Sequence, residues 1–157
     1  MAKSALVRFD HTVIEFTRAH SIPILRISLG IVFVWFGVLK IVGHSPVADL
    51  VIKTAYFLPP NVAVIGMGVL ETIIGIGLLT GLAMRLTLLM FFVQMCGTFL
   101  TIVTRPDLLI EHGDPLLLSV NGEFLLKNLV LIAAGIAIVG SVPKARGEKA
   151  GGRGGRP

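Results

Sequence analysis

The chain lacks nearly every residue pattern that carries redox or metal chemistry on its own. It contains a single cysteine, Cys96, which excludes an intrachain disulfide and a Cys-x-x-Cys redox pair. It has no phosphate-binding glycine loop, no CxxCH haem signature and no Ser/His/Asp set, and its acids and histidines match no recognised metal-ligand spacing. We therefore expect no metal site, no cofactor held by the chain alone, and no catalytic activity in isolation.

Charge is also scarce: Asp, Glu, Lys and Arg make up 15% of the 157 residues, whereas 54% are hydrophobic. The apolar residues concentrate in four stretches, at 22–42, 62–82, 86–103 and 124–142. Each stretch approaches the roughly 20 residues that cross a ~30 Å hydrocarbon layer. The sequence therefore predicts an all-α fold, a polytopic membrane four-helix bundle formed by one domain at residues 22–143.

The two ends of the chain differ from this domain. Apolar residues recur at three- and four-residue spacing within residues 1–21, which predicts an amphipathic helix on the cytoplasmic membrane surface. The alternative is an extension of the first membrane helix, with a bend near Pro23. Residues 144–157 are basic and glycine-rich, and we expect them to form a disordered cytoplasmic tail. The spaced apolar positions are Leu6, Phe9, Val13 and Phe16.

The net charge of +5 reports membrane topology rather than nucleic-acid binding. Most cations lie in the terminal segments and in the short link after the second stretch, and the two longer loops hold only Lys53 and Arg105. The positive-inside rule therefore predicts that both termini are cytoplasmic and that the longer loops lie outside. The cations assigned to the cytoplasmic side are Lys3, Arg8, Arg18, Arg85, Lys144, Arg146, Lys149, Arg153 and Arg156.

Glu71 lies near the centre of the second stretch, where an ionisable group is costly and usually faces a partner or a cavity. Arg26 lies near the inner end of the first stretch, and Lys40 and Lys127 lie near outer ends. We predict a network of Arg26, Glu71, Gln94 and Lys127, with Lys40 as a further member of this intramembrane polar cluster.

Two interpretations of the cluster remain open. It could bind a polar head group, such as a quinone carbonyl or a lipid head group, or relay protons through the carboxylate. Alternatively, Glu71 could form a structural ion pair that fixes helix register, while Lys40 and Lys127 extend to the interface. The aromatic residues near the outer ends allow a similar choice between an interfacial belt and a pocket for a flat ring. These aromatic residues are Trp35, Phe36, Tyr56 and Phe57.

Glycines at regular spacing predict close packing between helices, because small residues let helix backbones approach each other in lipid. Two lie seven residues apart in the first stretch, and a G-x-x-x-G pair ends the second. In the last loop, Asn121-Gly122 predicts a tight turn. The predicted packing glycines are Gly30, Gly37, Gly68, Gly75, Gly77 and Gly81.

Three segments resemble the DoxX-like superfamily, and the first is most similar to its YkgB/DUF417 branch. They are RISLGIVFVWFGVLK at 26–40, GxxExxIGIGLLTG at 68–81 and NGEFLLKN at 121–128. The resemblance implies a four-helix bundle of the bacterial inner membrane. Relatives include the small subunit of a thiosulfate:quinone oxidoreductase and proteins associated with oxidative-stress defence. By motif position, the residues that match the family's recurring polar residues are Arg26, Lys40, Glu71 and Lys127.

From these observations we expect an accessory subunit of a redox or energy-converting membrane complex. Its polar cluster would contact quinone or lipid, and its partners would be the bilayer and a larger complex or further copies of itself, with no nucleic acid. Two other classes of function stay open at this point. One is a small proton-coupled transporter that uses Glu71 as its carrier residue, and the other is a structural or assembly protein.

Overall fold

Four long helices form the bundle, as predicted from the apolar stretches. The computed structural model describes residues 2–111 and 113–143. Within this part of the chain, four helices are long and apolar enough to cross a membrane. They are α1 (Ala2–Ile41), α3 (Pro60–Thr80), α4 (Met84–Thr104) and α5 (Val120–Ser141). Each of them contacts two neighbours, so that the four close into a ring in the order α1, α3, α4, α5.

The N-terminal segment is continuous with the first membrane helix. α1 runs for 40 residues and passes through Pro23 without ending. At 1.5 Å per residue it is about 60 Å long, twice the hydrocarbon thickness. The structure therefore has the continuous extension of the first membrane helix, which was the alternative to a separate surface helix. A location of this extension on the membrane surface stays a prediction. The predicted disordered tail at 144–157 lies outside the described residues.

α1 and α3 pack closely because glycines face each other across their contact. A Cβ atom built on Gly75 would lie 2.6 Å from the backbone nitrogen of Val34 and 2.8 Å from the carbonyl oxygen of Gly30. One built on Gly68 would lie 2.7 Å from the carbonyl oxygen of Gly37. These distances are shorter than carbon contacts allow, so the two backbones touch at both levels.

The G-x-x-x-G pair at the end of α3 does not form such a face. Gly77 packs against the side chain of Thr87 in α4. Gly81 ends α3 with φ of 75°, and its N–H donates to the carbonyl of Gly77. This left-handed conformation is one that glycine adopts without steric cost, and it is a common way for a helix to end. The pair therefore serves two separate local functions.

The end of the bundle at which α1 ends and α3 begins carries the longer connections, and we call it the outer end. A short helix, α2 (Ala48–Thr54), lies between α1 and α3 and contacts both α3 and α4. Between α4 and α5, a 3₁₀ turn (Pro106–Leu108) precedes an antiparallel pair of strands, β1 (Ile110–Glu111) and β2 (Asp114–Leu118).

The turn predicted at Asn121-Gly122 was wrong, because both residues lie in the first turn of α5. Ser119 caps this helix, and its hydroxyl accepts a hydrogen bond from the N–H of Gly122 at 3.2 Å. Glycine is required there because a Cβ would collide with the carbonyl oxygen of Leu109. The chain reverses earlier, near Gly113, whose φ is 75°.

An apolar core fills the middle and inner part of the bundle. Phe33 of α1 and Phe91 of α4 meet at its centre, with ring centroids 5.3 Å apart. Many large apolar side chains on the outside of the helices remain exposed, as expected of surfaces that face lipid. The buried core residues are Leu29, Phe33, Ile74, Leu78, Leu88, Phe91, Met95, Ala134 and Ile138.

Candidate functional site

Three side chains from three helices form a buried polar triad in the membrane domain. The Nζ atom of Lys40 in α1 donates to Oε2 of Glu71 in α3 at 2.6 Å. The Nε2 atom of Gln94 in α4 donates to Oε1 of the same carboxylate at 2.9 Å. Lys40 and Gln94 are 2% and 4% exposed, respectively. Glu71 is therefore held at both oxygens in a setting with little access to water.

Helix direction explains why Lys40 reaches inward and does not extend to the outer surface. Side chains of an α-helix tilt toward its N-terminus. The N-terminus of α1 is at the inner end, so Lys40 tilts inward, whereas Glu71 on the antiparallel α3 tilts outward. Gly68 lies beside the two, since a Cβ built on it would lie 2.8 Å from Cβ of Lys40. The two charged side chains thus approach each other from adjacent levels.

Arg26 and Lys127 lie outside this triad, which corrects the network expected from the sequence. Lys127 is on α5, whose N-terminus is at the outer end of the bundle, so its side chain tilts toward that end. Its side chain is 74% exposed and pairs with Glu123 at 3.2 Å. Arg26 tilts toward the inner end, where its Nη1 atom lies 2.7 Å from the position of a Cβ on Gly81. Its buried Nε has no hydrogen-bond partner among the described residues.

A cavity of about 500 Å³ lies against the triad, in the outer half of the bundle. Lys40, Glu71 and Gln94 all contribute to its lining, which is otherwise mainly apolar. The volume falls within the range of about 300 to 1,000 Å³ that is typical of pockets for small molecules. An apolar cavity with a few convergent polar groups fits a ligand that is largely hydrophobic and carries a polar head.

The cavity exists because α1 is shorter than α3 at the outer end. Ile41, the last residue of α1, lies beside Gly68, since the two approach to 3.1 Å at the built Cβ position. α3 begins eight residues earlier, at Pro60, which corresponds to about 12 Å of helix. α2 covers the space left above the end of α1. Thr54 of α2 is tied to Thr101 of α4 by a hydroxyl–hydroxyl hydrogen bond of 3.0 Å.

Asn128 of α5 is a candidate binding residue that the sequence analysis did not include. It lines the cavity and is 4% exposed. Its carboxamide makes no hydrogen bond with the described residues. Because the amide borders the cavity, its N–H groups and its oxygen are free to bond to a ligand or to water there. Its position next to Lys127 at the start of α5 does not indicate that it faces inward. Its helical spacing from Leu125 and Leu131, by contrast, favours the inward face of the helix.

The four aromatic residues divide between the cavity and the outside of the bundle. Phe36 and Phe57 line the cavity. Trp35 and Tyr56 do not, and they are 66% and 76% exposed. The ring of Phe36 also lies 5.9 Å from Nζ of Lys40, within the range of a cation–π contact. The cavity therefore combines flat apolar surfaces with a cation and a carboxylate.

Comparison with known proteins gives one match. A family model described as DoxX matches residues 21–104, just over half of the chain. This range includes α1 from residue 21, α2, α3 and α4, and therefore all three residues of the triad. No curated protein and no solved structure matched the chain.

Proposed function

The chain belongs to the DoxX family, and we propose that it is a membrane-embedded binding subunit for a quinone-type amphiphile. The single observation that carries the proposal is the cavity with the Lys40–Glu71–Gln94 triad on its wall. The protein would act as an accessory subunit of a redox complex in the bacterial inner membrane. We also infer that it is a member of the YkgB-like branch, on the likeness of residues 26–40.

The donors around the cavity suit the carbonyl oxygens of a quinone. Lys40 carries three N–H donors, and Glu71 accepts one of them. Asn128 supplies two further donors from α5, which lies across the ring of helices from α3. Phe36 and Phe57 offer apolar surface for a flat ring. A bound quinone would supply electron and proton acceptance, and Glu71 and Lys40 are placed to hold a proton near its head group.

The inner half of the bundle argues against a transporter. A carrier carboxylate must be reached from both sides of the membrane. The cavity approaches Glu71 from the outer half, whereas Ile74 and Leu78 on the inner side of Glu71 are fully buried in the core. We therefore prefer a binding role for Glu71. We expect that neither the unmodified protein nor Glu71→Gln gives more proton-coupled flux in liposomes than empty liposomes show.

Ligand binding can be tested with decylubiquinone, a short-chain quinone. Binding to the native state raises stability by about 2.7 kcal/mol at a ligand concentration of 100 times Kd. We expect decylubiquinone to raise the Tm of the purified protein, and Asn128→Leu to abolish this shift. Because Asn128 makes no hydrogen bond within the described residues, the variant should fold as the unmodified protein does.

Lys127→Met is the matched control, since Lys127 is adjacent on α5 but has an exposed side chain. It should retain the full shift. An unmodified protein that shows no shift, or an Asn128→Leu variant that keeps it, would contradict the proposed binding site.

The accessory role is tested separately by purification from the native membrane in mild detergent. We expect a redox protein that contains flavin or haem to co-purify at a fixed ratio. The exposed apolar residues of the α1 extension, among them Val13 and Phe16, provide a surface for such a partner or for the membrane surface. A colourless assembly of this chain alone would contradict the accessory role and leave the binding test unaffected.

A further inference from the structure

On one side of the cavity, the lining residues are also exposed on the outside of the bundle. These exposed residues are all apolar residues or glycines, and they come from α3, the segment before it, and α4. By contrast, the lining residues contributed by α1 and α5 are buried or half-buried. The cavity therefore opens sideways between α3 and α4. The exposed lining residues are Phe57, Leu58, Val62, Gly66, Gly97 and Leu100.

Two glycines widen this opening. A Cβ built on Gly66 of α3 or on Gly97 of α4 would meet no atom within 4 Å. Both differ in this respect from Gly68 and Gly75, which lie against the backbone of α1. The absence of side chains at Gly66 and Gly97 therefore leaves space at the opening and does not serve helix packing.

The opening lies at the depth of the lipid chains. Gly66 is six residues from the outer end of α3, and Gly97 is seven residues from the outer end of α4. These separations correspond to about 9 and 10 Å along helices that match the ~30 Å hydrocarbon layer in length. Since the rim carries no charged residue, it faces hydrocarbon more readily than water.

The route along the bundle axis is covered by α2. Leu50 of α2 and Val47 before it are 5% and 7% exposed, and both line the cavity. The hydrogen bond between Thr54 and Thr101 holds the end of α2 on α4. A ligand from the outer aqueous side would have to displace this helix, whereas the side between α3 and α4 is already open.

We propose that the ligand enters laterally from the bilayer between α3 and α4, and that its hydrocarbon chain stays in the opening over Gly66 and Gly97. The head group then lies against the Lys40–Glu71–Gln94 triad. The cavity is thereby selective for amphiphiles with a chain over water-soluble molecules with the same head. The nature of the head group rests on the proposed function, while the route depends only on the shape of the cavity.

Spin-label accessibility tests the route without any ligand. A nitroxide is attached to Thr98→Cys, a cavity-lining position, in a Cys96→Ser background in lipid nanodiscs. We expect frequent collisions with oxygen, which dissolves in the bilayer, and few with a water-soluble nickel chelate. Gly66→Phe or Gly97→Phe should lower the oxygen collision rate several-fold.

Gly140→Phe is the matched control, because a Cβ at Gly140 also meets no atom within 4 Å but the residue does not line the cavity. It should leave the oxygen collision rate at position 98 unchanged. A label at the exposed Val93 should give the same rate with each of the three glycine-to-phenylalanine substitutions. Frequent collisions with the nickel chelate, or an oxygen rate insensitive to both rim variants, would overturn lateral entry.

A comparison of ligands separates this inference from the proposed function. The quinone head group without its decyl chain should give a much smaller Tm shift than decylubiquinone. Equal Tm shifts would contradict the role of the opening but would still support a quinone site. Lateral accessibility without any quinone-induced Tm shift would support the entry route and contradict quinone as the ligand.

Discussion

The ammonium of Lys40 lies 2.6 Å from Oε2 of Glu71 and joins the last turn of α1 to the middle of α3. The antiparallel arrangement of the two helices directs both side chains toward each other, because each tilts toward the N-terminus of its own helix. The close approach of the backbones at Gly68 brings them within hydrogen-bond distance. The ion pair is therefore a consequence of the glycine packing, and its accessible side is the cavity.

The first prediction concerns the stability of this pair. Lys40→Met or Glu71→Gln alone leaves an unpaired charge or an unpaired polar group in a buried position, at a cost of about 3 to 5 kcal/mol for a broken buried pair. The double variant should recover part of this loss, since both groups are then neutral. Reversible unfolding in detergent measures the free energy of unfolding of the unmodified protein, the two single variants and the double variant. Lys127→Met is the control and should change this free energy little. Additive losses in the double variant would show that the two residues do not interact.

A second prediction follows from the contact of α1 with α3. Gly75→Ala places a methyl group against the backbone of Val34 and Gly30, so the helices must separate. Overpacking of this kind typically costs about 1 to 3 kcal/mol. Gly66→Ala, on the same helix but with free space at Cβ, should be neutral or slightly stabilising. Equal effects of the two substitutions on the free energy of unfolding would disprove the packing argument.

Gly81 provides a third prediction, because its φ of 75° is unfavourable for other residues. Gly81→Ala should destabilise the protein by about 1 to 2 kcal/mol, the cost of a left-handed conformation at an L-residue. Gly140→Ala, within α5, should not destabilise it. If Gly81→Ala unfolded at the same Tm as the unmodified protein, this would contradict the left-handed conformation of Gly81 at the end of α3.

A fourth prediction concerns the ion pair at the outer end of α4. Arg105 donates two hydrogen bonds to Asp107, at 3.0 and 2.8 Å, and this holds the pKa of the Asp107 carboxyl below its usual value. Whatever stability the pair contributes is present above the ordinary pKa of aspartate and is lost as the pH falls through the lowered one. Arg105→Gln should raise the pKa of Asp107, as followed by carboxyl NMR. An unchanged titration would contradict the contact.

The sequence predicted the number and approximate bounds of the membrane helices, because long apolar stretches are a strong local signal. It also indicated Glu71 as the residue with the least favourable environment. The partner of Glu71 was harder to predict. Lys40 and Lys127 lie at similar distances from the outer ends of their apolar stretches, so position alone does not distinguish them. Helix direction does, because it turns Lys40 inward and Lys127 outward. The predicted topology already implies this distinction, because it fixes the direction of each helix.

The cavity could not have been predicted from the sequence. It arises from the difference in length between α1 and α3 at the outer end, and the apolar stretches placed the ends of those helices only approximately. The packing glycines were predicted as a set, but the sequence did not separate those that contact another backbone, such as Gly75, from the helix end at Gly81. Asn128 was missed although its helical spacing from Leu125 and Leu131 favours the inward face of α5.

The most direct test of the quinone site is photo-crosslinking with an azidoquinone in lipid nanodiscs, followed by mass spectrometry of the labelled peptides. The account predicts label on the cavity-lining segments of α2 and α4, at residues 50–55 and 94–101, and competition by decylubiquinone. Asn128→Leu should reduce the label, and Lys127→Met should not. Label confined to lipid-facing positions such as Trp35 and Val130, without competition, would contradict the presence of a quinone site in the cavity.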